Sequence, residues 1–202
     1  MSNIPTSGNI TLNQMHTEAG GTSGTACTLN DSDIRGLIGK SSGVSMFFNE
    51  WYGAAAEFQI TFSPGFWTIQ LGPGANQIRG SGVDEFNGVN YGSFTSATSK
   101  SSFFSGNAVQ HLWNRHHNNG GAGRFYLQVA GVVSNTNNDA FANINVNGTS
   151  LSRSNASYSF SGSGGSALTT WMWTFTQGGG ATSNIYPIYG QSYPNSTVTF
   201  TK

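Results

Sequence analysis

The chain has 202 residues, of which only 8% are charged, against roughly 25% in an average soluble protein, and its eight basic and eight acidic side chains cancel. With no Lys/Arg cluster there is little to neutralise a phosphate backbone, so no nucleic-acid partner is expected, and the single cysteine, Cys27, excludes an intrachain disulfide. Zero net charge together with 13% aromatic residues separates the chain from disordered sequences and supplies material for a packed core.

Residues 1–53 read as a segment of short helices, and residues 54–202 as a β-sandwich domain. The start, MSNIPTSGNITL, lacks a basic region followed by an apolar run, and no stretch of 18 apolar residues occurs, so neither a signal peptide nor a membrane span is expected. Thr11 followed by Gln14 fits a capping box, Leu12, Met15 and Ala19 fall on one helical face, and Gly20 is placed to end the helix. Asn30 is a cap candidate for a second helix, with Asp31 and Asp33 at the positive end of its dipole, an apolar stripe of Ile34, Leu37 and Ile38, and Gly39 as the stop. Ser45 is the cap candidate for a third turn, MFFNEWY, closed by Gly53. Each helix is shorter than those stable alone in water, so the segment is expected to fold against its own C-terminal domain or another protein.

From Ala54 onward β-branched and aromatic residues alternate with the period of two of a half-buried sheet. The stretches EFQITF, FWTIQL, VNYGSFT, RFYLQVAGVV, FANINV, TTWMWTFT and STVTFT read as strands. Asn147-Gly148 signals a two-residue hairpin, and Pro64-Gly65 marks another turn. Many short strands between such turns predict a mainly β, antiparallel sandwich or jelly roll. Ser105 to Trp113 reads as either a strand or a short helix, and HHNNGGAG as a loop.

The chemistry-bearing residues are sparse. His111, His116 and His117 lie close together in HLWNRHH and are weak metal candidates, because no Cys or carboxylate stands near them in sequence; exposed loop histidines are the alternative. Asp84 and Glu85 are adjacent, which on a strand points them to opposite faces, and they read as part of a solvated loop. No Ser is linked by sequence context to a His and an Asp, and there is no phosphate-binding loop, so neither an enzymatic activity nor a cofactor is expected. Trp171, Trp173 and Phe175 share a sheet face that is either core or a sugar-stacking platform, and Trp67 and Trp113 admit the same two readings.

The stretches SGNITLNQMHTEAGG (Ser7 to Gly21) and DIRGLIGKSSGVSMFFNEWYGA (Asp33 to Ala54) together resemble a leader at the start of many bacteriophage virion proteins, especially tail-associated and fibre-like proteins of marine phages. The stretch from Phe125 to Phe160, followed by TTWMWTFT and the closing STVTFT, resembles a β-module that recurs in such proteins. Glu57 to Arg124 carries no resemblance. The likeness implies a structural component of a tailed-phage virion: a tail or neck appendage, an adaptor or fibre-like protein, or a capsid decoration subunit. It implies other virion proteins as partners and a homo-oligomer, a trimer first, made in the bacterial cytoplasm and located in the virion. Docking is then expected through Ile34, Leu37, Ile38, Met46, Phe47, Phe48, Trp51 and Tyr52. The alternative is a lectin-like module that contacts a host surface glycan through Trp113 and the loop tyrosines Tyr186, Tyr189 and Tyr193.

Overall fold

The computed structural model describes residues 4–41, 43–52, 54, 56–70, 77–100, 102–117, 123–136, 139–163, 166–175 and 195–202. Two short helices come first, α1 (Leu12–Glu18) and α2 (Ser32–Gly36), then a 3-10 turn at Phe48–Trp51. Strands follow: β1 (Glu57–Ser63), β2 (Gly65–Gln70), β3 (Gln77–Phe86), β4 (Val89–Tyr91), β5 (Ser93–Phe94), β6 (Val109–His117), β7 (Gly123–Ala130), β8 (Asn143–Val146), β9 (Thr149–Ser152), β10 (Ser157–Ser161), β11 (Leu168–Phe175) and β12 (Ser196–Thr201). Every pairing between them is antiparallel. None of the helices is long and apolar enough to cross a membrane.

The strands form two sheets, one ordered β5-β1-β12-β8-β9 and the other β10-β11-β7-β6-β3-β2 with β4 paired to β3. Their facing sides make a sandwich core. Phe58, Ile60 and Phe62 of β1, Ile144 of β8 and Val198 and Phe200 of β12 meet Leu112 of β6, Phe125, Leu127 and Val129 of β7, and Trp171 and Trp173 of β11. The tryptophan face of β11 is therefore core. Its polar atoms are satisfied there: the Trp171 indole donates to Asn135 Oδ1 at 2.9 Å and the Trp173 indole to the Ser152 carbonyl at 2.8 Å. A buried indole N–H left unpaired would cost most of its desolvation energy, so these bonds let two tryptophans sit inside the sandwich.

Several local expectations change. Asp84 and Glu85 belong to β3 rather than to a solvated loop, and Asp84 is buried while Glu85 is exposed. His116 and His117 close β6 instead of opening a loop, and the Ser105–Trp113 stretch resolves into a single 3-10 turn at Phe104–Gly106 followed by that strand. VNYGSFT is split at Gly92, whose φ of +69° breaks the extended run, so β4 stays with β3 while β5 crosses to β1. Pro64 is likewise a corner between sheets, since β1 and β2 belong to different ones. Asn147-Gly148 does make the β8–β9 hairpin, with φ of +49° and +89°.

In the helical segment the Thr11 capping box forms as its residues predict, with Gln14 Oε1 accepting from the Thr11 amide at 2.8 Å. The other two caps differ. Asp31, not Asn30, is the residue at the start of α2, and its carboxylate turns back onto Thr28, accepting from both the amide and the hydroxyl. The third turn starts after Phe47 rather than at Ser45, because Glu50 reaches back to accept from the Phe47 amide at 2.7 Å. The short helices close on one another: Ile4, Met15, Ile34, Leu37, Trp51 and Ala54 form a second, smaller core, with Leu12, Ala19, Ile38 and Met46 packed against it. Burying Trp51 at the centre gives this segment apolar contacts that the helix lengths alone do not reveal. Glu18 Oε1 accepts from the Ala56 amide at 3.2 Å and so ties α1 to the residue that leads into β1.

Candidate functional site

Arg35 lies on α2 beside the apolar stripe and is 3% exposed. Its guanidinium has no carboxylate partner among the described residues and is satisfied by backbone instead. Nε donates to the Ser41 carbonyl at 2.8 Å, Nη2 to the carbonyls of Ser41 and Val44, and Nη1 to Asn30 Oδ1 at 3.3 Å, with Met46 Sδ at 3.5 Å from Nη1. A planar fork of five N–H groups suits a curved stretch of chain whose carbonyls point inward, because it can bond several at once. On the outside, Lys40 Nζ bonds the Ser45 carbonyl at 2.9 Å and the Glu50 carboxylate at 2.8 Å. The Lys40 contact first, and the Phe47 amide next, hold the Glu50 carboxyl below the usual glutamate range.

These bonds fix the chain from Val44 to Trp51, yet while Trp51 is buried, three of its apolar side chains point outward. Phe47 is 70% exposed, Phe48 54% and Val44 48%. The expected docking set therefore divides. Ile34, Leu37 and Trp51 are buried inside the segment and Ile38 and Met46 are packed against its core. Tyr52 is half-buried, its hydroxyl donating to the Gly8 carbonyl at 2.8 Å. Phe47 and Phe48 are left as the accessible members, joined by Val44, which carries no periodic signal in the sequence. Beside them a cavity of about 280 Å³ is lined by Ile38, Asn49, Glu50, Tyr52 and Ser102.

A second aromatic feature occupies the side of the seven-stranded sheet away from the core. Trp113 stacks on Tyr126 at 4.1 Å and 12°, Trp67 stacks on Phe86 at 4.3 Å and 9°, and the two tryptophans lie 6.2 Å apart. Glycines make room for them: a Cβ on Gly80 would enter the Trp67 indole, and one on Gly82 would meet the Leu112 carbonyl and the Trp113 backbone. Alternation along RFYLQVA, with Phe125 and Leu127 in the core, places Tyr126 on this outer side. A polar row runs alongside, where Gln128 Nε2 donates to Thr170 Oγ1 at 3.2 Å and its Oε1 lies 2.8 Å from His111 Nδ1.

Asp84 belongs to the same side. Burial pushes its carboxyl above the ordinary aspartate range, while His111, the Glu85 amide and the Trp67 indole pull it back. The Trp67 N–H leans toward this carboxylate without closing a well-formed hydrogen bond, and the Trp113 N–H and Arg115 Nε–H are buried with no partner among the described residues. Trp113 and His111 are thus brought together on one face. For His116 and His117 only the backbone is described, and Tyr186, Tyr189 and Tyr193 lie outside the described residues. No group of three potential metal ligands occurs among the described residues. Comparison of the chain with protein-family models, with curated proteins and with solved structures returns no match.

Lys in place of Arg35 keeps the charge but loses the planar fork, so the part-buried bonds to the Ser41 and Val44 carbonyls cannot all be made, each worth about 1.5–3 kcal/mol. Arg35→Lys is expected to lower the unfolding free energy by roughly 2 kcal/mol or more and to speed amide exchange at Phe47 and Glu50, read by chemical denaturation and hydrogen exchange; an unchanged exchange pattern would contradict the staple. Asp84 gives the pH prediction. Its folded pKa lies above the unfolded 3.8, so the stability it lends is full below that value and is lost as pH rises through the folded pKa. Asp84→Asn is therefore expected to melt higher than the natural chain at pH 7, with the advantage vanishing in acid below the unfolded value, and a lower melting point at neutral pH would refute the assignment.

Proposed function

We propose that the chain is a structural component of a tailed-bacteriophage virion, a tail or neck appendage, adaptor or fibre-like protein, whose N-terminal segment docks on the particle while the β-domain projects or packs between neighbours. The observation that carries this reading is the stapled stretch from Val44 to Trp51. A loop whose backbone is bonded from inside by Arg35 and outside by Lys40 and Glu50, yet which exposes two phenylalanines, has the make-up of a preformed protein contact. It lies within the sequence that resembles a virion leader, which gives the contact its proposed partners: other virion proteins. The rest of the docking set acts from beneath, by building the small core on which the loop stands.

Assembly is then the activity, and no reaction or cofactor is assigned to the chain. A capsid decoration subunit would use the same surface. Deleting residues 1–53 is expected to abolish incorporation into particles, and Phe47→Ser with Phe48→Ser to reduce it several-fold while leaving the melting temperature unchanged. Incorporation of either variant at the natural level, measured by quantitative mass spectrometry of purified particles, would sink the docking reading.

The outer aromatic row favours a second reading, recognition of a host surface glycan. Indole and guanidinium donors, an amide, an imidazole and a carboxylate set beside aromatic rings are the groups that hold a sugar, although the stacked rings already spend faces on one another. A glycan array with the natural chain and Trp113→Ala separates the two: saturable binding lost in the variant supports the lectin reading, and no binding removes it.

A further inference from the structure

We infer that the chain pairs with a second copy of itself about a two-fold axis beside the Phe48–Trp51 turn, so that Phe48 of each copy seats in the other copy's cavity. The inference rests on reading this turn as a docking surface and names the partner. Knob and hole are both present, and they are neighbours. Phe48 is 54% exposed, and the next residues, Asn49, Glu50 and Tyr52, form the cavity wall together with Ile38 and Ser102.

The half-open cavity, of about 280 Å³, has room for a side chain. A hole of roughly 150 Å³ already holds a benzene ring, so a phenyl ring with its approaching backbone fits. The lining suits that guest: Ile38 and Tyr52 contribute apolar wall, and Asn49, Glu50 and Ser102 contribute polar groups for the peptide that carries the ring.

The rim is complementary to itself. Lys40 and Glu50 stand 2.8 Å apart, both partly exposed, and a half-turn about a nearby axis brings Lys40 of one copy towards Glu50 of the other. A rim of one sign would repel its own copy; this one sets opposite charges against each other across the axis, adding to the internal pair rather than replacing it. Symmetry also follows from the placement. In a ring of three, each copy offers its knob on one flank and its hole on another, whereas a knob and hole side by side on one turn meet their counterparts through a half-turn. The contact is thus a dimer and differs from the trimer expected of a tail subunit. Val44, Phe47 and Phe48 expose on the order of 300 Å² of apolar side chain, less than the roughly 800 Å² per partner of a standard interface, so the pair is expected to be reversible.

Sedimentation velocity of the full chain over a concentration series provides the test. The natural chain is expected to show a monomer–dimer equilibrium, with the dissociation constant raised at least about tenfold by Phe48→Ser. Ser102→Phe, which fills the hole and leaves the knob intact, is expected to do the same. Lys40→Glu and Glu50→Lys are each expected to be monomeric alone and to form heterodimers when mixed, because the mixture restores both cross-axis pairs. Circular dichroism and melting curves confirm that each variant is folded. A natural chain that stays monomeric at its highest soluble concentration, a trimer, or a dimer indifferent to both Phe48→Ser and Ser102→Phe would overturn the inference. So would folded charge variants that fail to associate when mixed. Particle incorporation is scored separately: a dimer that is not incorporated sinks the virion reading alone, and a monomer incorporated through Phe47 and Phe48 sinks this inference alone.

Discussion

One guanidinium holds the N-terminal segment in the form that exposes its aromatics. Arg35 sits among Ile34, Leu37 and Met46, where a charge is costly to bury, and it is tolerated because its N–H groups find backbone carbonyls, an amide oxygen and a thioether. Those bonds run from α2 to the chain beyond it, so the fork ties together parts of the segment that have no regular secondary structure in common. Without it Val44 and Ser41 would turn their carbonyls to water and the turn at Phe48–Trp51 would lose its fixed position on the small core. The small core and the exposed phenylalanines depend on the same side chain.

Aromatic residues in this protein do three different jobs, decided by geometry rather than by type. In the sandwich they fill the space between sheets, with Phe104 in contact with Phe141, Trp171 and Phe200 at centroid distances of 5.0 to 6.0 Å. On the outer side of the seven-stranded sheet they stack on one another over two glycines that leave the backbone bare. On the stapled turn they face outward. With so few charges to keep surfaces apart, outward aromatics favour association.

The fold class was legible because alternation survives wherever one face is buried: β7 and β11 alternate in burial as RFYLQVA and TTWMWTF do in the sequence. Strands with little alternation were not legible. β3, QIRGSGVDEF, carries two glycines for the indoles above them and an acid on its outer side, so it reads as a loop. Three histidines and one asparagine likewise mask β6. Caps were legible where two side chains reciprocate, as at Thr11 and Gln14, and misplaced where an acid turned away from its helix, as Asp31 does. In the site, the stripe Ile34, Leu37 and Ile38 was visible, but periodicity cannot say whether an apolar stripe meets its own segment or a partner, and nothing local marks Arg35 as the residue that decides it.

As contact residues, Phe47 and Phe48 are expected to be preformed in the free chain and covered in the proposed assembly. Hydroxyl-radical footprinting read by mass spectrometry measures this directly, by comparing oxidation of each ring in the isolated chain at low concentration with that in the purified particle. The account predicts strong labelling of both rings in the free chain and a several-fold loss in the particle, with buried Trp51 weakly labelled in each. Equal labelling of Phe47 and Phe48 in both states would contradict it.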